Sequence, residues 1–410
     1  MREKRGYPAW RVLLGVILVR GASGGGINMT SSLFLLPVSQ ELGVGIGSLS
    51  ISFSISSIAL VLFLPVAGKL MHRYDARLLA ALGALLQAGS FAALGLMKSV
   101  YGWYALAIPQ AVGAAIVVNL LGPILINRWF PNKAGTMLGI QMACVSLCGA
   151  AFQPLVSRLI ALSGWRNAYL GVGGAVLAAA VLAGTLLLRD HPGWRREDGP
   201  PRKERLKTHG RGVEVDEKTA LRSVSFYLLL AFMIAITGFG VFTQHIPAYG
   251  ALLGFPAVRI GTALSLASVG SAVGSIAIGV VSDRAGSLRT ACGMIGIGFL
   301  AVAGFALGPD SFAVFSVSAF LHGLVTASVM VLAPILTLAF YGKKDYEGIY
   351  AKVSMGAPLA SILLIPAYGF VYDGTGSYLP VLLGMAALLL ISAVCILTGW
   401  KKRCTPAGCP

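Results

Sequence analysis

Eleven stretches of this 410-residue chain run for twenty residues or more without a single Asp, Glu, Lys or Arg. They cover 42–68, 78–97, 99–127, 134–157, 167–188, 223–258, 260–282, 290–309, 311–342, 353–372 and 374–400. About 20 helical residues cross a hydrocarbon core of roughly 30 Å, so each stretch can span a bilayer. A twelfth, from about Trp10 to Leu36, is equally apolar and, beyond Arg11 at its very start, interrupted once, by Arg20. With 56% hydrophobic and 11% charged residues and a mean hydropathy of +0.80, the composition excludes a soluble enzyme. The 52 glycines follow no three-residue period, which excludes a collagen-like chain. The expected fold class is an all-α membrane protein with twelve transmembrane helices.

Basic residues orient the spans, because Lys and Arg accumulate in short cytoplasmic loops. With the N-terminus inside, the cytoplasmic segments hold 27 of the 32 basic residues. The outside loops keep Lys98, Arg158, Arg166 and Arg259, and Arg20 stays in the membrane. This predicts a multi-pass protein of the cell membrane with both termini cytoplasmic. The net charge of +17 reads as a topology signal, with attraction to anionic lipid as a consequence and no nucleic-acid partner implied. The basic, apolar start resembles a signal peptide, but Arg20 interrupts it and a second span follows at once, so an uncleaved first helix is expected. Cys144, Cys148, Cys292 and Cys395 lie in spans and Cys404 and Cys409 in the tail; neither a disulfide framework nor a zinc site follows.

Residues 189–222 form the one long hydrophilic segment, rich in Pro and alternating charge, and read as a cytoplasmic linker between bundles 1–188 and 223–410. The halves echo each other at an offset of 211: Leu42-Gly43 recurs as Leu253-Gly254, Gly68 as Gly279, Arg73 as Arg284, Lys133 as Lys344, and Pro123-Ile124-Leu125 as Pro334-Ile335-Leu336. Two pseudo-symmetric six-helix bundles are the expected architecture, with a cavity between them at mid-depth that rocking could open to either side. The glycines of the spans, such as Gly24, Gly25 and Gly26 or Gly270 and Gly274, read first as helix packing.

The loop after the second span, from Gly68 through His72, Arg73 and Asp75 to Arg77, and the loop after the eighth, with Gly279, Asp283, Arg284 and Gly286, resemble the loop motif of the major facilitator superfamily. The second copy is close; the first has His72 at the acidic position and Asp75 at the second glycine. The resemblance implies a gating role for Gly68, Arg73, Arg77, Arg128, Gly279, Asp283, Arg284 and Gly286. The stretch Asn127 to Gly135, which contains Arg128, and Gly164-Trp165-Arg166 with Tyr169 are similar to the oxalate/formate antiporter and monocarboxylate porter branch. Where that branch often carries a substrate-binding Arg in the eighth span this chain has Ser275, and where its oxalate carriers hold a Lys in the eleventh it has Ser354, with Lys352 nearer the cytoplasmic end.

Arg20 lies ten residues past Trp10, about 15 Å into the membrane at 1.5 Å per residue. No Asp or Glu falls in the middle of any span. A guanidinium without a resident counter-ion can take a carboxylate with its planar fork; the competing reading is that Arg20 snorkels or bonds helix carbonyls. Since the resemblance implies that spans one, four, seven and ten line the cavity, Asn28, Asn119, Gln244 and His322 join Arg20 as candidate substrate-binding residues, with interhelical bonding as the alternative for each. Gln141 and Gln153 rank below them. His245 is expected at the interface, and Ser52, Ser54, Ser56 and Ser57 are expected to bond their own helix.

The expected function is a secondary carrier of a small mono- or dicarboxylate working by alternating access, with exchange or uniport favoured because no mid-membrane carboxylate can relay protons. A carrier of a neutral or amphiphilic solute and a non-transporting membrane sensor are the alternatives. No catalytic residues, metal or cofactor are expected, and the partners are a small-molecule substrate and lipid around a monomer.

Overall fold

The computed structural model describes residues 8–130, 134–189, 215–308, 311–342 and 345–403. Among them every regular element is a helix. Eleven helical segments are long and apolar enough to cross a membrane, and one of these, Met137–Leu187, is two spans: at Gly164 the backbone swings to φ 78°, ψ 160°. Twelve spans result. Most boundaries fall within a few residues of the charge-free stretches, because a charged or polar residue is what ends each crossing.

The spans are not uniform rods. The first runs Ala9–Arg20, widens into a π-helical turn over Gly21–Asn28, tightens to a 3-10 turn at Ser31–Phe34 and resumes as Leu35–Leu42. The seventh repeats this plan as Val224–Gly240, a 3-10 turn at Val241–Gln244, and Ile246–Leu252. The fourth is π-helical over Ala115–Leu120, between Val100–Ala114 and Leu121–Trp129, and the tenth breaks at Ala327, between Phe312–Thr326 and Ser328–Tyr341. Residues 115 and 327 are 212 apart, within one residue of the offset of the sequence repeat. Carbonyls freed by such breaks need partners where no water reaches. Thr30 and Ser31 donate to Gly26 and Ile27 at 2.6 and 2.7 Å, Asn119 to Ala114 at 3.1 Å, Thr243 to Gly240 at 2.8 Å and Thr326 to Gly323 at 2.6 Å.

The chain divides into two compact units, one of Met1–Leu42 and Ile55–Leu206, the other of Gly43–Ser54 and Lys207–Pro410. In the first, Val12, Val16 and Val19 share one buried apolar cluster with Leu79, Ala80 and Ala84 and with Ile116, Leu121 and Leu125. Gly25 is pressed onto the fifth span, Ala134 to about Gly164, where an added Cβ would stand 2.7 Å from the Gly149 nitrogen. In the second, Phe242 is ringed by Tyr249, Phe305, Tyr368 and Tyr378 at 5.7 to 6.5 Å. Helix Ala257–Ala285 meets Phe312–Thr326 backbone to backbone: a Cβ on Gly270 or Gly274 would collide with the Phe320 or Leu324 carbonyl oxygen. Most of the expected linker, 190–214, lies outside the described residues; its end forms the short helix Glu217–Arg222, with Asp216 accepting from the Thr219 nitrogen at 3.2 Å.

Two expectations are corrected. His245 is fully buried rather than interfacial, because its ring nitrogens bond the Ile365 carbonyl (2.9 Å) and the Tyr378 hydroxyl (3.3 Å). Of the serines, Ser52 bonds its own helix at Leu49, but Ser54 and Ser56 donate to Ile362 and Ala107 on other helices.

Candidate functional site

In the first unit the apolar run that carries the first helix across the membrane also carries Arg20 into it, at the last residue before the π-turn. Arg20 is 6% exposed. Its Nη1 donates to Gln141 Oε1 at 2.8 Å, while its Nε is buried with no hydrogen-bond partner. Gln141, on the fifth span, is wholly buried, and because its oxygen faces the guanidinium its Nε2 is left as a second buried, unpartnered donor. Among the described residues Arg20 has no carboxylate partner. The cluster presents unpartnered donors, so the group it can satisfy is a hydrogen-bond acceptor.

The other candidates of this unit are engaged differently. Asn28 is exposed and accepts from Gln87 Nε2 at 3.0 Å, which leaves Gln87 Oε1 buried without a partner. Asn119 spends a donor on its own helix at Ala114, sealing the π-turn. Gln153 donates to the Met29 carbonyl at 3.1 Å. Gln141, which ranks below Asn28 and Asn119 on sequence, is the residue the fold brings to Arg20; the available signal is an uncharged amide in an apolar run, which does not say which way it faces.

In the second unit His322 is fully buried, and its Nε2 lies 3.0 Å from Thr243 Oγ1. The Thr243 hydroxyl already gives its one proton to the Gly240 carbonyl. The imidazole is therefore the donor at Nε2, and its Nδ1, buried with no partner, is an acceptor. Rings of Phe239, Phe242 and Phe305 stand 4.5, 6.0 and 6.4 Å from it. Gln244, next to Thr243, has a buried and unpartnered Oε1. Ser275 and Ser354 both bond their own helices, and Lys352 pairs with Glu217.

The loop-motif residues show more structure than gating. Arg77 donates to the Leu188 carbonyl at 2.6 Å and Arg128 to the Met71 carbonyl at 2.9 Å, each closing the C-terminal end of a neighbouring helix, where cations are favoured. Arg73 is exposed, as are Asp283 and Arg284, and a Cβ on Gly68 or Gly279 would meet no atom within 4 Å. Asp75 caps helix Ala76–Leu94 by accepting from the Arg77 nitrogen at 2.8 Å, whereas Gly286 opens Ser287–Leu307 with φ 86°. His72 keeps its place in the motif, but its side chain lies outside what is described. Gly164-Trp165-Arg166 is a brace: Trp165 Nε1 and Arg166 Nε both donate to Glu41, and Arg166 reaches the Gly95 and Met97 carbonyls at 3.2 and 2.9 Å.

The sequence profile of the Major Facilitator Superfamily matches residues 16–311 and 260–405. The chain belongs to this superfamily. It is 23% identical over 361 residues to the uncharacterized MFS-type transporter YhjX of Escherichia coli, covering 86% of each chain. It is 25% identical over 307 residues to the oxalate:formate antiporter of Oxalobacter formigenes, covering 73% of this chain and 70% of that one. Over 178 residues, 42% of this chain and 37% of the other, it is 26% identical to monocarboxylate transporter 4 of Rattus norvegicus. Two solved structures share the fold: a mutant of the nucleoside transporter NupG, with a TM-score of 0.78 at 13% identity over 96% of this chain and all of that one, and a bacterial homolog of the human lysosomal transporter Spinster, with 0.71 at 14% over 98% and 100%. The superfamily member described here is thus a multi-pass membrane transporter, not an enzyme, with the twelve-helix fold of two pseudo-symmetric six-helix bundles.

Proposed function

We propose that this transporter moves a small organic anion, a mono- or dicarboxylate, by alternating access, with Arg20 as the anion anchor and both termini in the cytoplasm. The observation that carries the reading is the state of Arg20: buried at mid-span, bonded once to a neutral amide, with its Nε unpartnered and no carboxylate partner among the described residues. An orphaned buried donor costs about 1–3 kcal/mol, and more when charged, a cost that a bound anion removes. The similarity to an oxalate:formate antiporter and to a monocarboxylate transporter supports the same substrate class. In the second unit the unpartnered Gln244 Oε1 and His322 Nδ1 are proposed as acceptors for a polar substrate group; Asn28 and Asn119 rank lower because their amides are already engaged.

The rival reading, a neutral-solute carrier in which Arg20 is structural, draws on the Arg20–Gln141 bond. Uptake by purified protein in proteoliposomes separates the two. Oxalate, formate and lactate are offered to wild type and to Arg20→Ala; the anchor role requires uptake to fall by about tenfold or more, equivalent to about 1.4 kcal/mol of lost interaction. Anion uptake unchanged in Arg20→Ala removes the anchor.

A further inference from the structure

A guanidinium has two hydrogen-bonding edges, and the identity of the occupied nitrogen decides which one a ligand can use. Gln141 takes Nη1, the nitrogen remote from the Nε–H edge, so that edge, which can meet both oxygens of a carboxylate, is buried but left without a partner. The same contact fixes Gln141: with Oε1 spent on Arg20, its Nε2–H is buried and unpartnered. The amide lies flat against the fourth span because Gly122 stands behind it. A Cβ at Gly122 would come within 2.8 Å of both Gln141 Oε1 and Nε2 and 3.0 Å of its Cδ. Two buried side chains with orphaned donors, held by a glycine slot at mid-membrane, cost the apo fold stability on both residues and repay it only with an acceptor in place.

We propose that Arg20 and Gln141 form one carboxylate receptor, in which Gln141 holds the guanidinium by Nη1 and adds its own Nε2–H as a third donor, and Gly122 is the positioning residue for the amide. This rests on the organic-anion reading and goes beyond it: the ligand group is a planar carboxylate rather than a small inorganic anion, and its recognition needs a neutral amide at 141.

The test uses the purified full chain with acetate and oxalate as probes, chloride as the control at equal ionic strength, and thermal unfolding as the readout. Gln141→Glu gives Arg20 a resident counter-ion. Its ligand-free Tm should rise, and the affinity for both carboxylates should weaken by about tenfold or more. Gly122→Ala meets only the movable end of a side chain, so it should fold, with a small drop in Tm from the disturbed Arg20–Gln141 bond, while displacing the amide and weakening carboxylate binding by about threefold to tenfold. If Gln141→Glu does not fold, Gly122→Ala decides. Wild-type carboxylate affinity in these variants, or protection by chloride equal to that by acetate, overturns the receptor. Should Arg20→Ala abolish uptake while both variants bind normally, only the receptor falls; should wild type neither bind nor transport any carboxylate, the organic-anion reading falls with it.

Discussion

His245 and His322 are both fully buried, yet their ring nitrogens are not in the same state. His245 is satisfied at both, donating from Nε2 to the Ile365 carbonyl and accepting at Nδ1 from Tyr378. His322 is satisfied at one. Replacing His245 by Leu leaves a carbonyl and a hydroxyl without partners, at about 1–3 kcal/mol each, whereas replacing His322 by Leu leaves Thr243 still bonded to Gly240 and forfeits about 1 kcal/mol. Thermal unfolding in detergent should therefore show a clearly larger drop in Tm for His245→Leu than for His322→Leu; equal drops would contradict the assigned tautomers. At this scale the sequence told less. It showed that no acidic residue lies in the middle of any span alongside Arg20, because that is a matter of counting. It did not show that Gln141 rather than Asn28 or Asn119 would meet the guanidinium, because two amides on different helices look alike until rotation about the helix axis is known.

Helix breaks and helix contacts follow from small residues, but in two ways that composition does not separate. Gly274 lies against the Leu324 carbonyl, and any side chain there forces two helices apart. Gly279, five residues on in the same helix, faces open space. Gly274→Ala is expected to lower Tm markedly and Gly279→Ala to leave it nearly unchanged, although both change a glycine of one span to alanine; similar losses would mean that helix propensity, not the close contact, governs this span. The span count was legible in the sequence because charge-free runs must end where water begins. The π-turns at Gly21–Asn28 and Ala115–Leu120 were not, since an extra residue in a helical turn leaves the apolar pattern almost unaltered. The sealing hydroxyls of Thr30, Thr243 and Thr326 are visible in sequence only as scattered threonines.

At the scale of the whole molecule, the placement of acidic groups bears on coupling. Glu41, Asp283 and Asp373 sit at the ends of their spans, and Asp373 is occupied with the Ile46 and Gly47 nitrogens at 2.9 and 2.7 Å. With no mid-span carboxylate to carry protons, uptake into proteoliposomes should be accelerated severalfold by preloading with the same anion and altered little by an inward proton gradient. Strong stimulation by the gradient with none by preloading would point to symport instead. The duplication behind this architecture was readable from residues 211 apart, and Gly43 and Gly254, one such pair, both adopt positive φ, at 64° and 79°. Its divergence was readable only as a mismatch between Asp75 and Gly286. At the same bend one copy spends a carboxylate on a backbone nitrogen and the other spends left-handed backbone freedom. The two halves have kept a shared shape while ceasing to share its chemistry, so a segment grafted from one half into the other would bring a foreign solution to a corner already solved.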